Sequence, residues 1–284
     1  MPNLLDIRRR IRSVKNTQQL TKAMKTVSAA KLRRSQDRVL SARPYSDQLK
    51  RILGNLTDRI ENVIHPLLDV RPEERLLLIV VTADRGLCGA FNANILRTAT
   101  AFLREHAAQK VTIATVGRKG RDFFRRRSIP IRFEFVNIFS KLDYGNARDI
   151  SEMIAQAYSE AEVDAVYVVY NEFKSVIQQR VVVERVLPLS RKELEQHTPQ
   201  LDYIFEQKPQ EIFDRLLPRY VEVQIYRALL ESAAAEHGAR MASMDTASRN
   251  AGEMIEMLTL NMNRIRQAAI TREIIEVVSG AGVV

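Results

Sequence analysis

The sequence predicts an α/β protein with long helices: an antiparallel two-helix coiled coil of the N- and C-terminal segments plus a central α/β domain. Three observations predict it. Apolar residues recur at helical spacing over residues 3–63 and again from 209 onward. The stretch 73–207 alternates short apolar runs with helical segments. The charge is also unevenly placed: of 284 residues, 44 are Lys or Arg and 34 are Asp or Glu, a formal net charge of +10. Residues 1–60 hold 15 of the basic and 4 of the acidic residues, a balance of +11, so the remaining 224 carry −1. The division follows as 1–70 (N-terminal coiled-coil helix), 71–208 (α/β globular domain) and 209–284 (C-terminal coiled-coil helix).

The N-terminal helix opens with Asn3 as a cap and Asp6 in the first turn, where the helix dipole favours a carboxylate. Leu4, Ile7, Ile11 and Val14, then Leu20, Met24 and Val27, and later Leu49, Leu53, Leu56, Ile60 and Val63 form one apolar stripe in steps of three and four. Small and basic residues between Thr26 and Arg34 suit close approach of another helix. Pro44 either kinks the helix or ends one segment. If continuous, such a helix spans roughly 87 Å, too long for an ordinary domain.

Arg75–Thr82 is an unbroken apolar run, as in a strand covered on both faces. The loop Ala83-Asp-Arg-Gly-Leu-Cys-Gly-Ala-Phe-Asn92 follows, then a helical segment through His106. Val111–Val116 is the next strand, Gly117-Arg-Lys-Gly120 a turn, and a short basic helix runs to Arg127. Ile131–Val136 reads as a third strand and Asn146–Ala161 as a helix. Ala165–Tyr170 and Val176–Leu187 read as a hairpin. Strand and helix alternate, so the domain is Rossmann-like, with a partly parallel sheet. From Pro209 helix returns. Its seam runs Leu230, Ala234, His237, Met241, Met244, Ser248, Ala251, Ile255, Leu258, Met262, Ile265, Ala269, a coiled-coil pattern. The last eleven residues, from Ile274, carry a single charge, and a free apolar end of that kind belongs in a partner's pocket.

Several chemistries find little support. One cysteine, Cys88, makes no internal disulfide, and four histidines (His65, His106, His197, His237) lack zinc spacing. The longest apolar run, Leu76–Val81, is far short of the ~20 residues of a membrane helix. No signal peptide is visible, which points to the cytoplasm. Gly86 and Gly89 supply only GxxG, neither a dinucleotide fingerprint nor a P-loop, and read as turn glycines. Cys88 reads as a half-buried structural thiol. The paired carboxylates Glu73-Glu74 and Glu253/Glu256 read as solvated. The cluster Arg118-Lys-Gly-Arg-Asp-Phe-Phe-Arg-Arg-Arg127 interleaves aromatics with charge, so nucleic acid is weighed, but a partner-facing patch fits a near-neutral domain better. On residues alone the chain is a coiled coil with a globular domain and no persuasive active site. A nucleic-acid-binding coiled coil and a nucleotide-binding enzyme stay open as alternatives.

Four segments then carry a resemblance. Arg266-Gln-Ala-Ala-Ile-Thr-Arg-Glu-Ile-Ile-Glu-Val-Val-Ser-Gly-Ala281 closely resembles the signature of the F-type ATP synthase gamma subunit. Ile11–Met24, Thr82–Asn92 and Met241–Gly252 resemble the same family, in the family's order. The chain lacks the regulatory insertion with a cysteine pair found in chloroplast-type members and is similar to the bacterial type. The resemblance implies a non-catalytic subunit, with no cofactor and no bound metal, serving as the central rotor shaft that couples proton-driven rotation to conformational change at catalytic sites on beta subunits. Implied partners are the alpha and beta subunits of the catalytic ring, the epsilon subunit and the membrane rotor c-ring, with no nucleic acid and no transmembrane span. The implied location is peripheral, on the cytoplasmic face of the bacterial inner membrane. Carried over by motif, Met24 matches a coupling position on the shaft. Arg266 and Gln267 match a pair that reaches polar loops of a beta subunit, and Thr271, Glu273 and Glu276 match nearby coupling positions. Lys25 departs from relatives that hold an acidic or neutral residue there. The basic first helix is then expected to face acidic loops of the ring.

Overall fold

The computed structural model describes residues 4–59, 65–175, 179–189 and 209–281. Asn3, Ile60, Val63, His197, the Val176 start of the last strand and Val283-Val284 lie outside them. Helix α1 spans Leu4–Arg59, followed by β1 (Arg75–Val81), α2 (Phe91–Glu105), β2 (Lys110–Val116), α3 (Arg118–Arg125), β3 (Ile131–Phe135), α4 (Tyr144–Ser159), β4 (Ala165–Phe173), β5 (Gln179–Leu187) and α5 (Pro209–Ala281). Packing divides the chain into two compact units, Met1–Ala29 with Arg240–Val284, and Ala30–Ala239.

In the larger unit the sheet order is β3-β2-β1-β4-β5. The pairs β1–β2, β1–β4 and β2–β3 are parallel, and β4–β5 is antiparallel. This is the Rossmann-like arrangement with an antiparallel edge hairpin. Strand β1 is central because six of its seven residues are buried apolar side chains, which only a strand covered on both faces can use. Leu77, Ile79 and Val81 pack on one face with Ile150, Ile154 and Tyr158 of α4 and with Leu53, Phe213 and Leu217 of the long helices. Leu76, Leu78 and Val80 pack on the other with Phe91, Ile95 and Phe102 of α2, Phe124 of α3 and Ala235. Helix α4 begins in a capping box, Asp143 accepting from the Asn146 N–H and Asn146 from the Asp143 N–H; this satisfies two otherwise orphaned donors.

Pro44 neither ends α1 nor opens a loop; the helix runs through it. Residue 44 is exposed, so water can serve the carbonyl that loses its helical donor. The stripe expected along α1 needs one correction. Leu20 and Val27 are 61% and 56% exposed, whereas Thr21 and Ser28 are buried. The inward positions follow alternating steps of four and three from Ile7 through Ile11, Val14, Gln18 and Thr21. Leu20 and Val27 fall one residue off that line, on the outside. A coiled-coil seam set by backbone geometry accepts small polar side chains here where the apolar count alone pointed elsewhere.

Candidate functional site

The smaller unit pairs the beginning of α1 with the end of α5. Gln18 Nε2 donates to the Ser248 carbonyl at 3.3 Å, and Lys25 Nζ meets Asp245 Oδ1 at 2.6 Å. Rising numbers on α1 match falling numbers on α5, so the pair is antiparallel. Ile7, Thr21 and Ser28 from α1 are buried, as are Met244, Ser248 and Ala251 from α5. Small side chains let the backbones approach: a Cβ on Gly252 would stand 3.1 Å from Gln18 Nε2. Arg8, Arg9, Arg10, Arg12, Lys15, Lys22 and Lys25 are exposed around this seam, giving the unit its basic surface.

The seam closes at Ile265, not at Ala269. Residues 266–279 are all exposed. Among them Ile274, Ile275, Val277 and Val278 are 57–72% exposed. Five large apolar residues, counting Ile270, on one exposed helical end form a contact surface rather than scattered surface leucines.

The site residues expected from the motifs divide between these two places. Met24 is half-buried in the pair and Lys25 is exposed and bridged to Asp245. Arg266, Gln267, Thr271, Glu273 and Glu276 lie on the exposed end. Thr271 Oγ1 donates to the Gln267 carbonyl at 2.9 Å, one turn back. Asp245 was missed as the partner of Lys25, although it stands in the segment Met241–Gly252; it lies one turn before Ser248, whose carbonyl meets Gln18. The Lys25 ammonium holds the Asp245 carboxyl below its ordinary value through their hydrogen bond, with Arg249 adding charge.

The loop after β1 and the turn after β2 are held by hydrogen bonds within the chain. Gly89 takes φ +56°, but Leu87 takes +62° without being glycine, and Gly86 needs no such freedom. Cys88 is 2% exposed, more buried than expected, and Asn92 Nδ2 donates to its sulfur at 3.1 Å. Gly117, φ +97°, is required: a Cβ there would sit 2.0 Å from the Thr82 carbonyl oxygen. The first N–H groups of α3 are satisfied internally. Arg118 N–H donates to Asp84 Oδ1 at 3.0 Å, Lys119 N–H to the Ala83 carbonyl at 3.1 Å, and Gly120 N–H to Thr82 Oγ1 at 2.8 Å. In the basic cluster that follows, Arg121 pairs with Asp122 and Arg125 with Glu134. Phe124 is fully buried, and Arg127 covers Phe123 with its guanidinium carbon 3.6 Å from the ring centre. The aromatics are therefore not free to stack on bases. Among the described residues no three His, Cys, Asp or Glu side chains gather as a metal site, and no helix is long and apolar enough to cross a membrane.

These features define a class: a protein of two units, an antiparallel helix pair with an exposed apolar end and a Rossmann-like α/β domain. The sequence model of the ATP synthase family matches residues 3–284. The chain is 53% identical to the ATP synthase gamma chain of Solibacter usitatus and 50% identical to that of Pelotomaculum thermopropionicum, covering 99% of each chain in both comparisons. A chain from the central stalk and c-ring structure of the Tetrahymena thermophila mitochondrial ATP synthase matches with TM-score 0.61 at 25% identity, over 81% of this chain and 99% of that one. A chain of the Euglena gracilis mitochondrial ATP synthase shares the fold, with TM-score 0.70 at 20% identity over 97% and 92%. The chain belongs to the ATP synthase gamma-chain family, and as a gamma chain it is non-catalytic.

Proposed function

We propose that this chain is the central rotor shaft of a proton-translocating F-type ATP synthase. It turns within a ring of alpha and beta subunits and couples rotation to conformational change at catalytic sites on the beta subunits. Its other partners are the epsilon subunit and the membrane rotor c-ring. It sits peripherally, at the cytoplasmic face of a bacterial inner membrane. The three segments 1–70, 71–208 and 209–284 divide the work into shaft, foot and shaft. The single observation that carries this reading is the family match across residues 3–284; the antiparallel pair and its exposed end supply the physical means.

Such a shaft makes and breaks no bonds. Its orientation changes the relative free energies of conformations in its neighbours, and differential contact is the only way it can do so. The seam fixes α1 to α5 so that torque is carried by a pair rather than by one helix. Met24 and Lys25 act within that pair, Met24 half-buried and Lys25 bridged to Asp245. At the exposed end Arg266 and Gln267 reach polar loops of a beta subunit and Thr271, Glu273 and Glu276 act in coupling, while Ile270, Ile274 and Val278 seat in an apolar sleeve. The basic surface of α1 adds long-range attraction to acidic loops without fixed pairs that would resist turning.

The experiment is purification through a tag on this chain. The reading expects co-elution with a large ring that hydrolyses ATP, and rotation of a bead attached to residues of the foot. A chain that elutes alone, with ATPase subunits absent from every fraction, would refute it.

A further inference from the structure

The larger unit contains a cavity of about 150 Å³ that the rotor role does not use. Its walls are Val39 and Ala42 of α1, Tyr144 of α4, and Val223, Tyr226 and Leu230 of α5. Arg43, Tyr45, Ser46 and Arg227 complete its rim. We propose that this cavity is a binding site for a small uncharged aromatic molecule of one or two rings, held between α1, α4 and α5.

Three observations lead there. The first is size: an apolar cavity of about 150 Å³ stays dry and accepts benzene or xenon. The second is polarity. Most of the lining is apolar or aromatic, and two of the polar groups nearby are committed elsewhere, although Arg227 Nε is buried with no hydrogen-bond partner. Tyr144 donates its hydroxyl to Glu222 Oε2 at 2.6 Å. Arg227 Nη2 donates to both carboxylate oxygens of Glu184, at 2.8 and 2.9 Å. The Arg43 charge acts on the buried Glu231 carboxyl, offsetting part of its burial. Arg227 thus turns the Nη2 end of its head to a carboxylate. A charged ligand would lose its hydration against walls that are mostly apolar, with a single unpartnered N–H, Arg227 Nε, to offset it. The third is the ring geometry. Tyr144 and Tyr226 meet edge-to-face, centroids 5.4 Å apart and planes at 76°, an arrangement that a further ring can extend.

Occupancy would stabilise this unit, since a ligand bound only by the folded form shifts the folding equilibrium by mass action. The three walls come from two long helices and α4, so a bound ring also stiffens α1 against α5 at this level.

The test uses the purified full chain with benzene, indole and benzoate as probes, followed by ligand-observed NMR and thermal melting, and xenon-pressurised crystals. Indole and benzene are expected to bind saturably with dissociation constants on the order of 1 mM or tighter, and to raise Tm by roughly 2 °C near saturation. Benzoate is expected to bind at least tenfold more weakly, and xenon to appear between Ala42 and Leu230. Ala42→Leu fills the cavity and should abolish binding; Ala42→Val, a smaller filling, serves if the first variant does not fold. The proposal is overturned if neither neutral probe saturates by about 10 mM, if benzoate equals benzene, if xenon is absent from the cavity, or if a folded filled variant binds as the parent does.

Discussion

Lys25 Nζ and Asp245 Oδ1 face each other at 2.6 Å across the antiparallel pair, with side chains 46% and 40% exposed. The bridge sits one α1 turn from Thr21 and one α5 turn from the Ser248 contact with Gln18, so it marks the register where α1 and α5 hold together. Half-exposed pairs are screened by water and salt, and their value lies in register more than in stability.

Replacing Lys25 with Glu would set two carboxylates against each other at that point. The expected outcome is lower ATP synthesis by the reconstituted complex, restored in part by the swapped pair Lys25→Asp with Asp245→Lys. Unchanged synthesis in the single variant would remove this face from coupling. The pH dependence follows from the depressed Asp245 carboxyl. A folded-state value below the ordinary 3.8 gives a contribution that is present above that value and lost as pH falls through the depressed one. The difference in melting between the parent and Asp245→Asn should therefore exist at neutral pH and close in acid.

Removing the exposed end, Ile274–Val284, deletes no described intramolecular packing, since residues 266–279 are exposed throughout. The melting of the larger unit should be unchanged. Retention of the truncated chain in its catalytic ring, measured by size-exclusion of the complex, should fall. Equal loss of folding and retention would contradict the assignment of this end to partner contact.

Asp164 is 3% exposed and anchors the start of β1. It accepts from Arg75 N–H at 2.8 Å, from Nε at 3.1 Å and from Nη2 at 2.7 Å. Asp164→Ala should cost about 2 kcal/mol by urea unfolding, since the start of β1 loses its buried, charged acceptor. The carboxyl is held below its usual value, first by the Arg75 side-chain hydrogen bond. Its contribution is thus complete above the ordinary 3.8 and is lost as pH falls through the folded value. The gap between the parent and the variant should narrow only in strong acid.

Gly117→Ala forces a Cβ to within 2.0 Å of the Thr82 carbonyl oxygen at φ +97°. The expected loss is about 3 kcal/mol or more, from backbone strain and overpacking together. Gly86→Ala, whose Cβ would meet only the Lys119 side chain at 3.8 Å, should be nearly neutral by the same measurement. A reversal of that order would mean that the turn after β2 relaxes.

Much of the fold was legible because it is written in strong local patterns. The run Leu76–Val81 announced a central strand, and the edge hairpin followed from two β-rich segments with little between them. The seam of α5 was readable from Leu230 to Ile265 for the same reason. Leu20 and Val27 misled because a stripe counted on apolar residues alone skips Gln18 and Thr21, whose inward places are set by the register of a partner helix. The left-handed Leu87 and Asn137 had no sequence mark, since neither is glycine. The candidate site was legible only through family motifs. Nothing in the physical chemistry of Arg266 or Glu276 within this chain distinguishes them from any solvated helical residue; their role is defined by surfaces they meet on other chains.

Asp84 and Thr82 have a consequence for ligand chemistry. In a sheet of this topology the helix that follows a strand usually offers bare N–H groups to an anion. Here the chain supplies its own carboxylate: Asp84 Oδ1 accepts from both Arg118 N–H and Asn137 N–H at 3.0 and 2.9 Å. An incoming phosphate at α3 would have to displace a covalently tethered acid whose local concentration no free nucleotide can match. The domain thus keeps the outline of a nucleotide binder, with the anion position at the start of α3 already filled by its own carboxylate.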